Sequence, residues 1–294
     1  MKIKRSKGEI VFEAFNMVFL SLLMVAALYP FLYVVFASFS NPSALSKHRG
    51  LLFAPLEFST VAYDAVFKNP NILSGYGNTI LYLAVGLVLN MVMTILGAYA
   101  LSRKTLYLRN GIMFAIVFTM LFSGGMIPSY ILIRQLGMMD SLWALTIPYA
   151  INTTNLIIMR TAFAQIPDSL EESAKIDGAN DLIILTRIAI PLAQATIMVL
   201  VLYYAVYHWN SWFPAAIYMR SRPKWPLQLI LREILIENQT DSMMGGTAGG
   251  NDRVLLDATI KYATIIIATV PILVVYPLLQ KHFIKGVMIG AIKG

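Results

Sequence analysis

Five charged side chains lie close together in an otherwise apolar sequence, in the stretch EESAKIDGANDLIILTRIAIP that covers residues 171–191. They are Glu171, Glu172, Lys175, Asp177 and Asp181. Because charged groups are costly to leave unpaired in apolar surroundings, this cluster indicates a polar partner. The nature of that partner depends on where the stretch lies relative to a membrane.

Residue patterns for catalysis or metal binding are missing from the sequence. The apolar segments contain no HExxH, no Gly-x-Ser-x-Gly and no paired carboxylates. Apart from tyrosines, His208 is the one ionisable side chain in them of a type that is common in catalysis. No glycine is followed by lysine, which excludes a Walker A phosphate loop. The chain has 0 cysteines, and therefore no thiolate zinc site. We expect no enzyme activity, no metal site and no cofactor in this chain.

Composition indicates a membrane protein. Hydrophobic residues make up 58% of the 294 positions and charged residues 13%, whereas soluble domains average about 25% charged residues. The net charge of +8 resides in short loops, which indicates a membrane surface rather than nucleic acid as the partner.

Six windows without Asp, Glu, Lys or Arg have about the length of roughly 20 residues that a spanning helix needs. They are residues 14–46, 69–102, 110–133, 141–159, 188–219 and 262–280. The sequence therefore predicts an all-α polytopic membrane protein with six transmembrane helices. Kinks or helix ends are expected at Pro30, Pro128, Pro148, Pro214, Pro271 and Pro277.

Loop charge predicts the orientation. The N-terminus, residues 1–13, and the loop 102–111 are short and basic, which places both in the cytoplasm. The membrane domain is then 14–283, with external loops at about 41–77 and 220–257. The segment 165–191 and the tail 284–294 are cytoplasmic. The sequence thus predicts a multi-pass protein of the cytoplasmic membrane with both termini in the cytoplasm.

A short amphipathic helix is predicted between spans four and five. Asp168 stands in a helix-capping position, with Glu171 three residues later. Gly178 is placed to end the helix, and Pro191 marks the turn into span five.

One face of this helix carries Leu170, Ala174 and Gly178, which recur every four residues. A narrow apolar ridge flanked by charge suits docking into a groove of another protein. The alternative is a helix lying at the lipid headgroups, but its acidic first turn is repelled by anionic lipid.

The spacing around Glu172 resembles the EAA motif of ABC importer permeases. Here Glu172-Ser173-Ala174 is followed by three residues, Gly178, nine residues, Ile188, one residue and Ile190-Pro191. The family pattern is E-A-A, three residues, G, nine residues, I, one residue and L-P, from which Ser173 and Ile190 depart. The wording IPDSLEESAKIDGAN and the stretches 208–235 and 281–294 are similar to the MalG-like carbohydrate importers of the LplC/YtcP branch.

This resemblance implies the passive half of a channel. Its partners would be a second permease, two ATP-binding subunits that hold ATP and Mg, and an external solute-binding protein. The coupling helix would dock into a cleft of the ATPase, with Glu172 as the main polar contact and Gly178 permitting the bend. The implied coupling residues are Glu171, Glu172, Ser173, Ala174, Lys175, Asp177, Gly178 and Ala179.

A substrate pathway is predicted where polar and aromatic residues crowd spans four and five. The candidates are Asn152, Asn155, Tyr203, Tyr204, Tyr207, His208, Trp209, Asn210 and Trp212, with Asn90 in span two as a weaker one. Aromatic rings and polar donors suit the apolar faces and hydroxyl edges of sugars. The alternatives are an interfacial aromatic belt in span five and hydrogen bonding between helices in span four.

Two basic segments allow further readings. Arg220, Arg222, Lys224 and Arg232 lie near Trp225 in the second external loop, where they would attract acidic oligosaccharides or position the loop against phosphate headgroups. The tail Lys281–Gly294 is basic, and it would contact either lipid or, by resemblance, the ATPases.

The sequence thus predicts a permease subunit of an oligosaccharide ABC importer, with acidic, uronate-containing sugars as one option. A permease for another solute class and an ATPase-independent carrier remain as alternatives.

Overall fold

The structure of the chain, a computed structural model, describes residues 6–236 and 259–274. These residues form helices and connecting turns without a β-strand, which confirms the predicted all-α class. The chain divides into two compact units, Met1–Pro70 with Glu233–Thr269 and Asn71–Arg232 with Val270–Gly294.

Among the described residues, the first unit contains the helices α1 (Lys7–Ser38), α2 (Pro42–Lys47) and α3 (Val61–Lys68), together with residues Thr259–Thr269 of a later helix and the end of the helix before it. A capping box starts α1, in which the Ser6 hydroxyl accepts from the Glu9 amide at 3.2 Å and the Ser6 amide donates to the Glu9 carboxylate at 2.8 Å. The helix continues through Pro30, where a kink or a helix end was expected. Its apolar side chains between Ile10 and Leu28 are exposed, as suits a helix surrounded by lipid.

A small core anchors the end of α1. Ala37, Leu45 and Leu52 are buried together, and Tyr33 and Tyr262 pack against them. The Tyr29 hydroxyl accepts a hydrogen bond from the Leu52 amide at 2.8 Å. Residues 41–69, which the sequence assigned to an external loop, therefore contain two short helices rather than irregular chain.

The remaining elements are α4 (Pro70–Ser102), α5 (Arg109–Leu121), α6 (Met126–Gln135), α7 (Leu142–Thr146) with a 3₁₀ turn (Ile147–Tyr149), α8 (Thr153–Ala164), α9 (Asp168–Ile176), α10 (Asp181–Ile184) with a π turn (Leu185–Ala189), α11 (Ile190–Leu192), α12 (Gln194–Asn210), α13 (Phe213–Tyr218), a 3₁₀ turn (Arg222–Lys224), α14 (Leu227–Ile236) and α15 (Thr259–Val274). They lie in the second unit, except that the first unit includes the end of α14 from Glu233 onwards and α15 as far as Thr269.

Three of the predicted spans are broken. Helices α5 and α6 meet at 112°, the α7 segment and α8 at 51°, and the segment Asp181–Leu192 and α12 at 83°. By length and composition, α1 and α4 suffice as single spans and each bent pair adds one more at most. Helix α15 is shorter, and residues 275–280 of the sixth window lie outside the described residues. The count of six spans therefore stays a prediction.

Glycine, rather than proline, explains the break in the third window. The chain turns between α5 and α6 at Gly125, whose φ of 86° is in the left-handed region that favours glycine. Pro128, where the break was expected, lies in the first turn of α6, where its missing amide hydrogen costs nothing. Pro148 does coincide with the 51° bend, as predicted.

The main core of the second unit gathers α4, α8, α12 and the segment between α8 and α12. Its buried members include Tyr99, Phe163, Ala174, Ile184 and Leu200. Phe163 presents its ring to Tyr99 edge-on at 5.9 Å. Helix α9 is thus attached by side-chain packing to the same core that holds the long helix α4.

Candidate functional site

Helix α9 is the predicted coupling helix, and its start differs from the prediction. Pro167 is the N-terminal boundary residue, and no side chain caps the helix. Asp168 is instead the first helical residue, and its carboxylate accepts a hydrogen bond from Lys104 at 2.5 Å. This hydrogen bond holds the pKa of Asp168 below its ordinary value.

A second ion pair lies deeper. Arg103 pairs with Glu171, and their side chains are only 18% and 14% exposed. The Arg103 guanidinium also lies over the Tyr99 ring, 4.1 Å from its centroid. Sequence reasoning assigned Glu171 to a contact with another protein, whereas the structure turns it towards the residues that follow α4.

Ala174 also faces inwards. It is 8% exposed and belongs to the main core, so it is not part of an outward ridge with Leu170 and Gly178, as the four-residue spacing had suggested. The ridge interpretation was wrong at this position because one side of α9 is occupied by the chain's own core.

The outer surface of α9 carries the remaining motif residues. Glu172, Ser173, Lys175, Asp177 and Gly178 are exposed, and Ala179 is half-buried. Among the described residues, no hydrogen bond or ion pair engages the Glu172 carboxylate. Two large apolar side chains that the sequence reading missed lie close by in the chain, Ile176 (86% exposed) and Leu182 (65% exposed). Their full exposure is visible only in the structure.

Gly178 ends α9 as predicted. Its φ of 82° lies in the left-handed region, and the amides of Gly178 and Ala179 donate to the carbonyls of Lys175 and Ala174 at 3.0 and 2.9 Å. The chain then continues to Leu192, and the 83° bend into α12 falls at Ala193, two residues after Pro191. The predicted short helix and bend are present, and the long helix α12 follows them; that α12 is a membrane span stays a prediction.

A second feature of the unit is a cavity of about 310 Å³ between the α7–α8 break and α12, lined by both polar and apolar groups. Its lining consists of Pro148, Tyr149, Ile151, Asn152, Asn155, Tyr203, Tyr204 and Tyr207. Five of these are residues that the sequence proposed for a pathway. None of the described residues that line it is charged.

The cavity residues are held by hydrogen bonds. Asn152 precedes α8 and its side chain accepts from the Asn155 amide at 3.1 Å, which caps that helix. The Asn152 amide donates to the Tyr204 hydroxyl at 3.1 Å, and this hydroxyl also bonds with Thr94 of α4 at 2.8 Å. Tyr149 and Tyr207 place their ring centroids 5.9 Å apart.

The other proposed pathway residues lie elsewhere. His208 is 7% exposed and its Nε2 contacts the Asn90 side chain at 2.7 Å. Trp209 is buried with its ring 6.1 Å from that of Tyr76, and Trp212 lies under the Arg232 guanidinium at 3.6 Å. The Asn210 amide donates to a carbonyl of its own helix, that of Val206. These four positions do not line the cavity, because His208, Trp209 and Asn210 face other sides of α12 than the cavity tyrosines and Trp212 lies beyond the end of this helix.

Several residues of the basic segment after α13 form contacts within the chain. Asp140 accepts hydrogen bonds from Lys224 at 2.8 Å, from the Ser221 hydroxyl at 2.7 Å and amide at 2.9 Å, and from the Arg220 amide at 3.0 Å. The Lys224 bond, followed by those of Ser221, holds the pKa of Asp140 far below its ordinary value. Lys224 is thereby paired with Asp140, while Arg232 lies over the Trp212 ring and Arg222 lies near the Trp225 ring at 5.8 Å. The predicted cationic cluster is thus partly offset by Asp140, and the Arg220 and Arg222 side chains stay exposed. The basic tail 281–294 lies outside the described residues.

Two curated proteins of Bacillus subtilis strain 168 are similar to this chain along nearly its whole length. Protein LplC is 41% identical over 289 residues, which cover 98% of this chain and 97% of LplC. The polygalacturonan/rhamnogalacturonan transport system permease protein YtcP is 42% identical over 277 residues, covering 94% and 96%. No family model matches the chain.

A solved structure agrees with these relatives. A chain from a bacterial ABC transporter involved in the import of the acidic polysaccharide alginate superposes with a TM-score of 0.86 at 33% identity. The match covers 96% of this chain and 100% of the other. These similarities agree with the all-helical, apolar fold and lead to one conclusion. The chain belongs to the family of membrane-embedded permease subunits of ABC sugar importers.

Proposed function

We propose that this chain is the permease subunit of a binding-protein-dependent importer of oligosaccharides, with acidic, uronate-containing sugars as the substrate class. YtcP is named for polygalacturonan and rhamnogalacturonan transport, and the similar solved transporter is involved in alginate import. The observation that carries the proposal is the exposed Glu172 on a helix whose other acidic residues, Asp168 and Glu171, are paired within the chain.

ATP hydrolysis then takes place on separate subunits, which hold ATP and Mg. Helix α9 docks into the ATPase with Glu172, Ser173, Lys175 and Asp177 as its polar contacts and Ile176 as an apolar one. The inner residues Glu171 and Ala174 have a different role, because they fix α9 to the end of α4 and to the core. Movement of the ATPase is thereby transmitted to α4 as well as along the chain to α12.

The assembly contains a second permease, two ATP-binding subunits and an external solute-binding protein. Both termini and α9 face the cytoplasm in this proposal, and Asp140, Arg220 and Lys224 face the outside. The basis is the basic loop after α4, which by the positive-inside rule belongs in the cytoplasm and which contacts α9 directly.

The cavity between α8 and α12 serves as part of the sugar pathway. Four tyrosines line the cavity and offer ring faces for stacking against a sugar, and Asn152 and Asn155 contribute amide groups for hydroxyls. Since the described lining is uncharged, this chain meets the apolar faces and hydroxyls of an acidic sugar. Its carboxylates are balanced by cations of another subunit.

The proposal is tested by co-purification from detergent followed by mass spectrometry. The native chain is compared with Glu172→Lys and with Asp64→Lys, a matched reversal of an exposed acid on α3. We expect an ATPase and a second permease with the native chain and with Asp64→Lys. Glu172→Lys should retain the permease and lose the ATPase. The absence of any ATPase from the native sample, or its full yield with Glu172→Lys, overturns the coupling role.

A further inference from the structure

The break between α7 and α8 leaves backbone carbonyls that need partners. Helix geometry ends at Tyr149, and α8 starts only at Thr153. The carbonyls at the end of a helix have no intrahelical donor. Within a membrane they must be satisfied by other protein groups, because lipid offers no hydrogen bonds. The cavity exists at this point because the chain leaves the helical path here.

Asn90 of α4 supplies the missing donors. Its side-chain amide donates to the carbonyl of Tyr149 at 2.6 Å and to that of Ala150 at 3.0 Å, and the residue is 1% exposed. Both amide hydrogens are thereby used, which leaves the Asn90 Oδ1 as an acceptor. Asn90 thus joins α4 to the two residues that begin the break.

His208 of α12 completes this arrangement. Its Nε2 lies 2.7 Å from Asn90 Oδ1, and since that oxygen accepts, Nε2 carries the hydrogen. The imidazole therefore orients the Asn90 amide so that its two donors point at the carbonyls. Asn90 and His208 do not line the cavity themselves. They act on it through Tyr149, which does line it.

Gly86 provides the space for the imidazole. A β carbon at this position would lie 2.5 Å from both Cε1 and Nε2 of His208, closer than any normal contact. The ring is buried and cannot move into solvent. On the same helix, a β carbon on Gly77 would meet nothing within 4 Å. These two glycines therefore form a matched pair for an experiment.

We propose that Asn90 and His208 are positioning residues that set the shape of the sugar cavity through the Tyr149–Ala150 break. Gly86 is the position that permits their contact. The inference rests on the proposed function, in which the cavity lies on the sugar pathway. It predicts that disturbing a group outside the cavity changes the sugar concentration at which uptake is half-maximal, while the ATPase still assembles.

The test measures ATP-driven uptake by the complete transporter reconstituted in liposomes, as a function of the concentration of an oligogalacturonate. Gly86→Ala is compared with Gly77→Ala, and His208→Leu with His208→Gln, since a glutamine amide can replace the Nε2 donor. We expect Gly86→Ala and His208→Leu to raise the half-maximal concentration about tenfold, the scale of one lost hydrogen bond. Gly77→Ala and His208→Gln should stay within about threefold of the native value.

A further variant, Tyr203→Leu, separates the possible failures because it changes the cavity lining itself. If it raises the half-maximal concentration while Gly86→Ala and His208→Leu do not, the positioning role is wrong and the pathway stands. If Tyr203→Leu has no effect either, the cavity is not on the pathway and both proposals fail. If Gly86→Ala, His208→Leu and His208→Gln all fail to assemble with the ATPase, the contact serves folding alone and the positioning role is again wrong.

Discussion

The predicted coupling helix α9 and the cavity between α8 and α12 differ in how their polar groups are paired. In α9, Asp168 and Glu171 are neutralised by Lys104 and Arg103, and Glu172 is left available at the surface. In the cavity, the described lining has no charge, and neutral hydrogen bonds hold it: the Asn90 side chain donates to the Tyr149 carbonyl, and the Tyr204 hydroxyl accepts from the Asn152 backbone amide.

The difference follows from the surroundings of each region. The exposed Lys104–Asp168 pair contributes little, whereas the mostly buried Arg103–Glu171 pair orients α9, and Glu172 stays available for a partner. In an apolar membrane interior a charge is costly, whereas neutral hydrogen bonds satisfy a broken helix. Under the proposed function, one region is therefore suited to binding a protein, and the other to stabilising an irregular backbone.

The largest effect is expected for Asn90→Leu. Leucine has a similar volume but leaves two carbonyls, those of Tyr149 and Ala150, without donors, which should lower the free energy of unfolding by about 3 kcal/mol. The measurement is the thermal unfolding midpoint of the purified protein in detergent. Asn210→Leu is the control, because the Asn210 amide reaches only its own helix in the described contacts. Equal midpoints for the two variants would contradict the conclusion that hydrogen bonds from Asn90 to the carbonyls of Tyr149 and Ala150 stabilise the break.

An intermediate effect is expected from the Arg103–Glu171 pair. Because both side chains are mostly buried, Glu171→Arg alone places two like charges together and should destabilise the protein by about 2 kcal/mol. The exchange of both residues, Arg103→Glu with Glu171→Arg, should recover at least half of this loss. The unfolding midpoint and ATP-driven uptake are measured for both forms. A double variant no better than the single one would show that the two residues do not act as a pair.

The smallest effect is expected for Asp168→Asn, since Lys104 and Asp168 are 76% and 62% exposed. The pKa of Asp168 is lowered, so its stabilising contribution is present above the ordinary carboxyl range and is lost as the pH falls through the lowered pKa. The unfolding midpoint should drop by about 1 °C at pH 7 and low salt. The difference should vanish in about 1 M salt or at acidic pH. A difference that persists at high salt would mean that Asp168 has another role.

The sequence was informative where one short segment holds the whole signal. Gly178 was recognisable as a helix end, and its positive φ agrees with that reading. The role of Asp168 was misread because its partner, Lys104, lies 64 positions earlier in the chain. A capping pattern can be recognised locally, but a competing long-range ion pair cannot.

The cavity was predictable only in part. The tyrosines at 203, 204 and 207 were recognised as a cluster, and the structure brings them together with Asn152 and Asn155. His208 was grouped with them by proximity in sequence, although it faces Gly86 and Asn90 of α4. Asn90 was the weakest candidate in the sequence because a single polar residue in an apolar span says nothing about its partners. Its importance depends on a helix break 59 residues later.

The direction of the chain gives the two regions different histories during synthesis. Arg103 and Lys104, the charged partners of α9, are both made before α9 itself. As proteins are synthesised from the N-terminus at about 5–20 residues per second, α9 emerges to find these partners already in place. The carbonyls of Tyr149 and Ala150 find Asn90 in the same way, but the imidazole that orients it arrives only with α12. Until α12 is made, the Asn90 side-chain amide has no partner that fixes its orientation. Helix α9 and its charged partners are therefore synthesised before the cavity takes its final shape.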